Sequence, residues 1–381
     1  MIRKLSLVTV IALLVISTVS PARSATAAAE ILCDKTRAVD LVICLDTSGS
    51  MEGLIDAARA RVWDVVSKLS RMKPTPELRV GLLTFGAGAG GPDAGWIVRQ
   101  TDLTDDLDAV YAKLMALTIG GSEEFVGRAI HTALDEMSWA PEKSALRILF
   151  MAGNESADQG VDTFDFRTEA RAAKDRGIII NAMFVGSREQ AIVEHWPEVA
   201  RGGQGTFSAI DPSIATIQIP TPFDDPLLAL NARLNQTYVP YGQDGVAGLA
   251  NQLAQDGNAT RLGVESCSSR VVAKGTSLYT NGSWDLVDAS LEKGFDFASI
   301  AARDLPESLQ AMSRGELAGY VAGKRLEREA IQTEIQKTSS RREAFIKQAR
   351  SKELASYDLG EAMKQAIRGQ AMKKGFTCDG C

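Results

Sequence analysis

Residues 38–51 read AVDLVICLDTSGSM: an apolar run, then one carboxylate and two hydroxyls on alternate positions, Asp46, Ser48 and Ser50, with Gly49 between the hydroxyls. The run is apolar on both faces, which suits a strand of a parallel sheet covered on each side by helices. The next segment has helical spacing. Leu54, Ala57, Ala58, Val62, Val65, Val66 and Leu69 recur at three- and four-residue intervals, one face of an amphipathic helix predicted over 53–70. The polar alternation therefore sits where a strand hands over to a helix.

Similar runs recur downstream: LRVGLLTFG (78–86), GWIVRQT (95–101), LRILFMAG (146–153), IIINAMFVG (178–186) and GTFSAID (205–211). Helices are predicted between them over 105–117, 125–137, 164–176 and 189–201, the third of these ended by Gly177 as a C-cap. Strands and helices in alternation over about 180 residues define an α/β fold, a doubly wound and mostly parallel Rossmann-like sheet. In such sheets ligands bind beyond the carboxyl ends of the strands. The Asp46–Ser50 loop occupies that place.

One carboxylate and two neutral hydroxyls are a suitable partial shell for a hard cation such as Mg²⁺ or Mn²⁺, which takes oxygen ligands and keeps several waters. The bland alternative is that Asp46 or Ser50 only caps the helix, as Asp and Ser often do. The position of the pattern, directly between strand and helix, favours the metal.

Here the chain resembles the von Willebrand factor type A family, whose metal-ion-dependent adhesion site begins with Asp-x-Ser-x-Ser at this point of this fold. The resemblance covers roughly residues 36–215. It implies a non-catalytic binding module in which Ser48 and Ser50 ligate the metal, Asp46 acts largely through water, and an acidic group of a partner completes the shell. The family's second ligand, a threonine after glycines, falls on Ser122 in TIGGSEEFVG, with Glu123 as a further oxygen donor nearby. The third, an aspartate in a Thr-Asp-Gly-like turn, is lost: FMAGNES has Ala152 and Gly153 there, and Asn154 or Glu155 would have to reach back. The metal set implied is thus Asp46, Ser48, Ser50, Ser122 and Glu155. GNESADQG is similar to loops of exported bacterial members with a helical tail.

The chain has 381 residues, enough for a large domain and a smaller one. Its 42 basic and 48 acidic residues give a net charge of −6, which argues against nucleic acid as a partner. Arg3 and Lys4, the apolar stretch Leu5–Val19 and the small residues after it read as a signal peptide over 1–28. That run is shorter than the roughly 20 residues a spanning helix requires. After cleavage no membrane span is expected, and the protein is placed in the periplasm or outside the cell.

Export allows disulfides. Cys44, inside the first strand, reads as a buried thiol, while Cys33, Cys267, Cys378 and Cys381 form an even set whose pairing the sequence leaves open. Residues 216–284 read as a linker with short helices, one of them over 242–259. Residues 285–381 read as a charged helical region. Leu317, Val321, Leu326, Ile331, Ile335 and Ile346 keep no strict heptad, so a helical hairpin packed on the α/β domain is preferred to a free coiled coil.

No enzyme is expected. His131 and His195 have no metal-ligand spacing, the glycines of 85–95 lack the Lys-Ser/Thr ending of a phosphate loop, and Ser48 lacks the Gly-x-Ser-x-Gly elbow. The expected partner is a protein or cell-surface ligand that offers a carboxylate. The competing expectation is a structural envelope protein with a degenerate, metal-free domain of this type and an interacting helical tail.

Overall fold

The computed structural model describes residues 37–86, 90–159, 164–210, 219–350 and 359–378. The signal-peptide stretch, Cys33, the centre of the 85–95 glycine loop and the last three residues of the CDGC end lie outside them.

The first strand, β1 (Arg37–Asp46), leads into α1 (Glu52–Leu69), β2 (Met72–Lys73), β3 (Pro76–Phe85), β4 (Val98–Thr104), α2 (Leu107–Met115) and α3 (Val126–Glu136). The alternation continues with β5 (Leu146–Gly153), α4 (Phe166–Asp175), β6 (Ile178–Val185), α5 (Arg188–Val193), α6 (Trp196–Gly202) and β7 (Gln204–Ile210). Six strands form one sheet in the order β4-β3-β1-β5-β6-β7, parallel except for the β3–β4 pair. The strand order reverses at β1, whose neighbours β3 and β5 lie on opposite sides. Its carboxyl end is therefore the switch point at which doubly wound sheets place their ligand crevices.

Two predicted elements differ. The strand expected over 95–101 starts three residues later, because Gly95 and Trp96 adopt φ of 61° and 56° and belong to a turn. The helix expected over 189–201 is two helices. Pro197 would clash with the carbonyl four residues back in a continuous helix, and the chain breaks at His195 (φ 64°) to place the proline in the first turn of α6. Gly177 does close α4, with φ 71°.

Beyond the sheet come α7 (Asp224–Asn235), α8 (Gly245–Arg261), α9 (Val264–Lys274), α10 (Leu286–Ala289), α11 (Glu307–Gln310), α12 (Arg314–Arg350), α13 (Leu359–Lys373) and β8 (Thr377–Cys378). The stretch 285–313 is made of turns and short helical pieces, not a continuous helix. The strand β8 pairs antiparallel with β2, which ties the end of the chain to the segment between α1 and β3.

One face of the sheet is covered by α3, α4 and α6 through Val126, Ile130, Phe166, Ala170, Trp196 and Val199. The other is covered by α1, α2 and α13. Leu359, Met363 and Ile367 of α13 share a core with Ile43, Leu45, Phe150 and Met183. Burying such a side chain stabilises by roughly 1.5–3 kcal/mol. The last helix is thus part of the sheet's own core.

The helix α9 is enclosed by α1, α7, α8 and α12 and buried from Glu265 to Lys274, although its sequence, VESCSSRVVAK, is largely polar. Ion pairs make this tolerable. Arg270 bonds Asp108 (2.6 Å) and Asp256 (2.7 Å), with its guanidinium 4.7 Å from the Trp63 ring, and Lys274 meets Asp256 at 3.0 Å. On α12, Arg328 does the same with Asp285 (2.6 Å) and Asp288 (2.7 Å). Buried charges are tolerated when paired and hydrogen-bonded. Cys44 and Cys267 are both buried free thiols.

Candidate functional site

The motif builds its loop through the backbone. Thr47 is buried and binds the Phe85 carbonyl twice, by its N–H (2.8 Å) and its hydroxyl (2.9 Å), locking the end of β1 to the end of β3. Asp46 Oδ1 accepts from the Ser48 N–H at 2.7 Å, and the Ser48 and Ser50 hydroxyls lie 3.3 Å apart. Asp46 and Ser48 are buried and Ser50 is exposed.

The capping explanation fails. The N-cap of α1 is Met51, and no side chain caps the helix. The motif's oxygens are therefore not consumed by α1. Asp46 Oδ2 is buried, and apart from the neighbouring Glu124 carboxyl no donor among the described residues serves it. The glycine that this loop requires is Gly86, not Gly49: at φ +87° a Cβ there would sit 2.6 Å from Asp46 Oδ1 and 3.2 Å from the Ser48 nitrogen.

A second carboxyl faces Asp46. Glu124 is buried, its N–H is held by the Gln159 side chain, and its carboxyl lies against Asp46 and Ser48. Burial, and then the Asp46 carboxyl beside it, pushes Glu124 up to about 9. Burial also raises Asp46. Two carboxyls in such contact oppose each other's ionisation, so they titrate as a pair and hold a proton more readily than either would alone.

Sequence reasoning singled out Glu123 and missed Glu124. Glu123 forms the backbone bridge to Gly86, and successive side chains of an extended segment point to opposite sides. The second glutamate is therefore the one turned inward. The signal was present in the adjacent Glu-Glu pair, but the pairing partner that sets its phase was not.

The other nominated residues lie on the neighbouring loops. Gly120 N–H binds the Thr47 carbonyl (2.9 Å) and Gly49 N–H approaches the Gly121 carbonyl (3.4 Å), so the Ser122 loop flanks the motif. Ser122 itself is exposed, and its hydroxyl donates to Glu123 Oε2 at 3.2 Å rather than to Asp46, Ser48 or Ser50. Asn154, after β5, reaches Ser50 Oγ with its side-chain amide at 3.0 Å. Glu155 is exposed, and its charge raises both Asp46 and Glu124.

At the lost aspartate position, a Cβ on Gly153 would lie 3.4 Å from Asp46 Cβ but only 3.0 Å from the Trp196 indole. Trp196, whose Nε1 binds the Glu155 carbonyl at 2.7 Å, occupies that side of the site. Among the described residues no three His, Cys, Asp or Glu side chains converge as metal ligands. A cation here would rest on hydroxyls and the Asp46–Glu124 pair.

A mostly parallel, doubly wound sheet with an oxygen-rich loop at the end of its central strand defines a Rossmann-like α/β domain. The family model for the von Willebrand factor type A domain matches residues 40–211, and this segment is a domain of that family. Such domains are commonly protein-interaction modules, typically without catalytic activity.

Solved structures similar to the chain include proximal thread matrix protein 1 from the mussel byssus with a zinc-occupied MIDAS motif (15% identity, TM-score 0.36, 47% of this chain and 43% of that one). Others are the SpRpn10 VWA domain (16%, 0.35, 47% and 90%) and the pilus adhesin SpaC from Lactobacillus rhamnosus GG in its open conformation (14%, 0.36, 56% and 33%). The match spans less than half of the byssus protein and about a third of the adhesin. No curated protein matches the chain. No helix among the described residues is long and apolar enough to cross a membrane.

Proposed function

We propose that this protein is an exported, non-catalytic binding module that docks an acidic group of a protein or cell-surface partner on a divalent cation at the end of β1. The observation that carries this reading is the buried Asp46–Glu124 carboxyl pair beside the Ser48 and Ser50 hydroxyls, in a motif that does not cap its helix. Ser48, Ser50 and Asp46 would hold the ion, with Glu124 supplying the carboxyl that the Gly153 position lacks. Ser122 and Glu155 stand on the flanking loops as further oxygen donors. Mg²⁺ and Mn²⁺ fit this hard-oxygen set. When bound, the cation supplies an electrophilic centre that accepts a carboxylate. The chain's own groups fix its position: Thr47 anchors the loop to β3, and Gly86 leaves room for Asp46.

The test is calorimetric titration of the protein with Mg²⁺ and Mn²⁺, with Asp46→Ala as control. Saturable binding that disappears in Asp46→Ala supports the reading. Heat that is unchanged in the variant sinks it. A second reading, a metal-free domain serving as a structural envelope component, draws on Gly153 and the close Trp196. It predicts no saturable heat with either ion, even when an acidic peptide is present.

A further inference from the structure

The outer face of α8 has the composition of an interior. From Val246 to Gly257 its exposed residues are Val246, Ala247, Ala250, Leu253, Ala254 and Gly257, with no charged side chain among them. Val246 is 80% and Leu253 47% exposed, while the inner face, through Gln252, Gln255 and Ala259, packs toward α2 and α9. A surface helix ordinarily turns its charged residues to water and its apolar ones inward. A charge-free strip that leaves two large aliphatic side chains in solvent marks an interaction surface.

The strip is complementary to itself. Val246, Ala250, Leu253 and Gly257 follow one another at intervals of four, three and four residues, the seam spacing of paired helices. The midpoint of the seam lies between Ala250 and Leu253. In an antiparallel pair, Val246 therefore meets Gly257 of the second copy and Ala250 meets its Leu253, a larger side chain against a smaller one each time. A parallel pair would set each residue against itself, with Gly257 facing Gly257 across an unfilled gap.

Charge selects the same orientation. The first turns of α8 adjoin a recess lined, among the described residues, by Asp105, Asp106 and Glu292 and by no lysine or arginine. Trp284, on its wall, lies so close to Gly248 that a Cβ there would be 2.3 Å from the indole. At the other end, Arg261 is the last residue of the helix and exposed, with its guanidinium on Asn258 Oδ1 and on no carboxylate among the described residues. Only the antiparallel arrangement brings the basic end of one copy to the acidic end of the other, and it also sets the two helix dipoles head to tail.

We propose that the outer face of α8 is the interface of a symmetric dimer, two copies of this chain joined antiparallel about a two-fold axis midway between Ala250 and Leu253. A helix of 17 residues is about 25 Å long, so the contact is at the small end of specific interfaces and forms at high protein concentration.

Sedimentation equilibrium of the full chain between about 1 and about 200 µM is the test. The expected result is a mass that rises from one chain toward two over that range. Gly257→Glu should dimerise at least roughly tenfold more weakly with an unchanged thermal melt, because a Cβ at this position meets no atom of its own chain within 4 Å. Leu253→Glu should act alike. Arg261→Glu should weaken the dimer several-fold, since it sets a carboxylate against the acidic end of the second copy. A chain that stays monomeric at the highest concentration, or a dimer undiminished in Gly257→Glu and Leu253→Glu, overturns the proposal, and a dimer that loses nothing in Arg261→Glu overturns its antiparallel form.

Discussion

Asp108, at the start of α2, and Arg270, in the middle of α9, stand 162 residues apart and form a buried ion pair with Nη1 2.6 Å from Oδ1. Tyr279 Oη donates to the other Asp108 oxygen at 2.5 Å, and the Arg270 guanidinium lies 4.7 Å from the Trp63 ring and 5.7 Å from that of Tyr279. The pair joins the α/β segment to the helical region at a point closed to solvent.

Arg270→Ala should destabilise the protein by about 3–5 kcal/mol, because it leaves two carboxylates, Asp108 and Asp256, short of a buried partner. The exposed pair Arg233–Glu334 is the control: Arg233→Ala should change stability by no more than about 1 kcal/mol. Urea denaturation followed by circular dichroism measures both, and similar losses in the two variants would refute the contrast.

The core role of α13 predicts that removing residues 285–381 destroys the sheet domain instead of releasing it intact. Ile367→Ala should cost about 2–5 kcal/mol, as for other buried aliphatic truncations. A truncated chain with a sharp, cooperative thermal transition near that of the full chain would show that the sheet does not depend on this helix.

Restoring the lost aspartate is expected to be costly. Gly153→Asp presses a Cβ to within 3.0 Å of Trp196, which is itself buried and held through Nε1, so the variant should lose roughly 1–3 kcal/mol. Relief by the double variant Gly153→Asp, Trp196→Phe would place the strain at that contact. A single variant as stable as wild type would mean that Trp196 moves aside freely.

Acid should act through Asp256. Burial works to raise this carboxyl, but Lys274 and Arg270 beside it win and hold it well below the usual carboxylate range. A depressed folded pKa means that the unfolded chain binds the proton first. The stability this group contributes is therefore full above about pH 4 and is lost as the pH falls further, toward its folded value. Asp256→Asn should flatten that part of the stability-against-pH curve, measured by thermal melting between about pH 2 and 5. An unchanged slope would assign the acid response to other carboxylates.

The sequence legibly carried the sheet and the centre of the site. Alternating apolar runs and helical periodicity are local patterns, fixed by which faces must leave water, and they placed Asp46, Ser48 and Ser50 at the end of β1. Pro197 was equally local, and its effect on the helix after β6 comes from its ring alone. Glu124 was not legible, because which of two adjacent glutamates turns inward depends on the backbone bridge between Glu123 and Gly86, formed across 37 residues.

Beside its expected stripe, α1 also buries Ile55 and Trp63, and what covers them is remote in sequence. The sequence by itself determined the α/β class, the strand-end loop and the residue types offered there, since these rest on short-range periodicity and side-chain chemistry. Only the tertiary structure decided that a polar segment, VESCSSRVVAK, lies buried at the centre of the helical region and that the last helix completes the sheet's core. Pairing a buried arginine with an aspartate 162 residues away, or seating a helix against strands more than 150 residues earlier, depends on long-range contacts that no local pattern encodes.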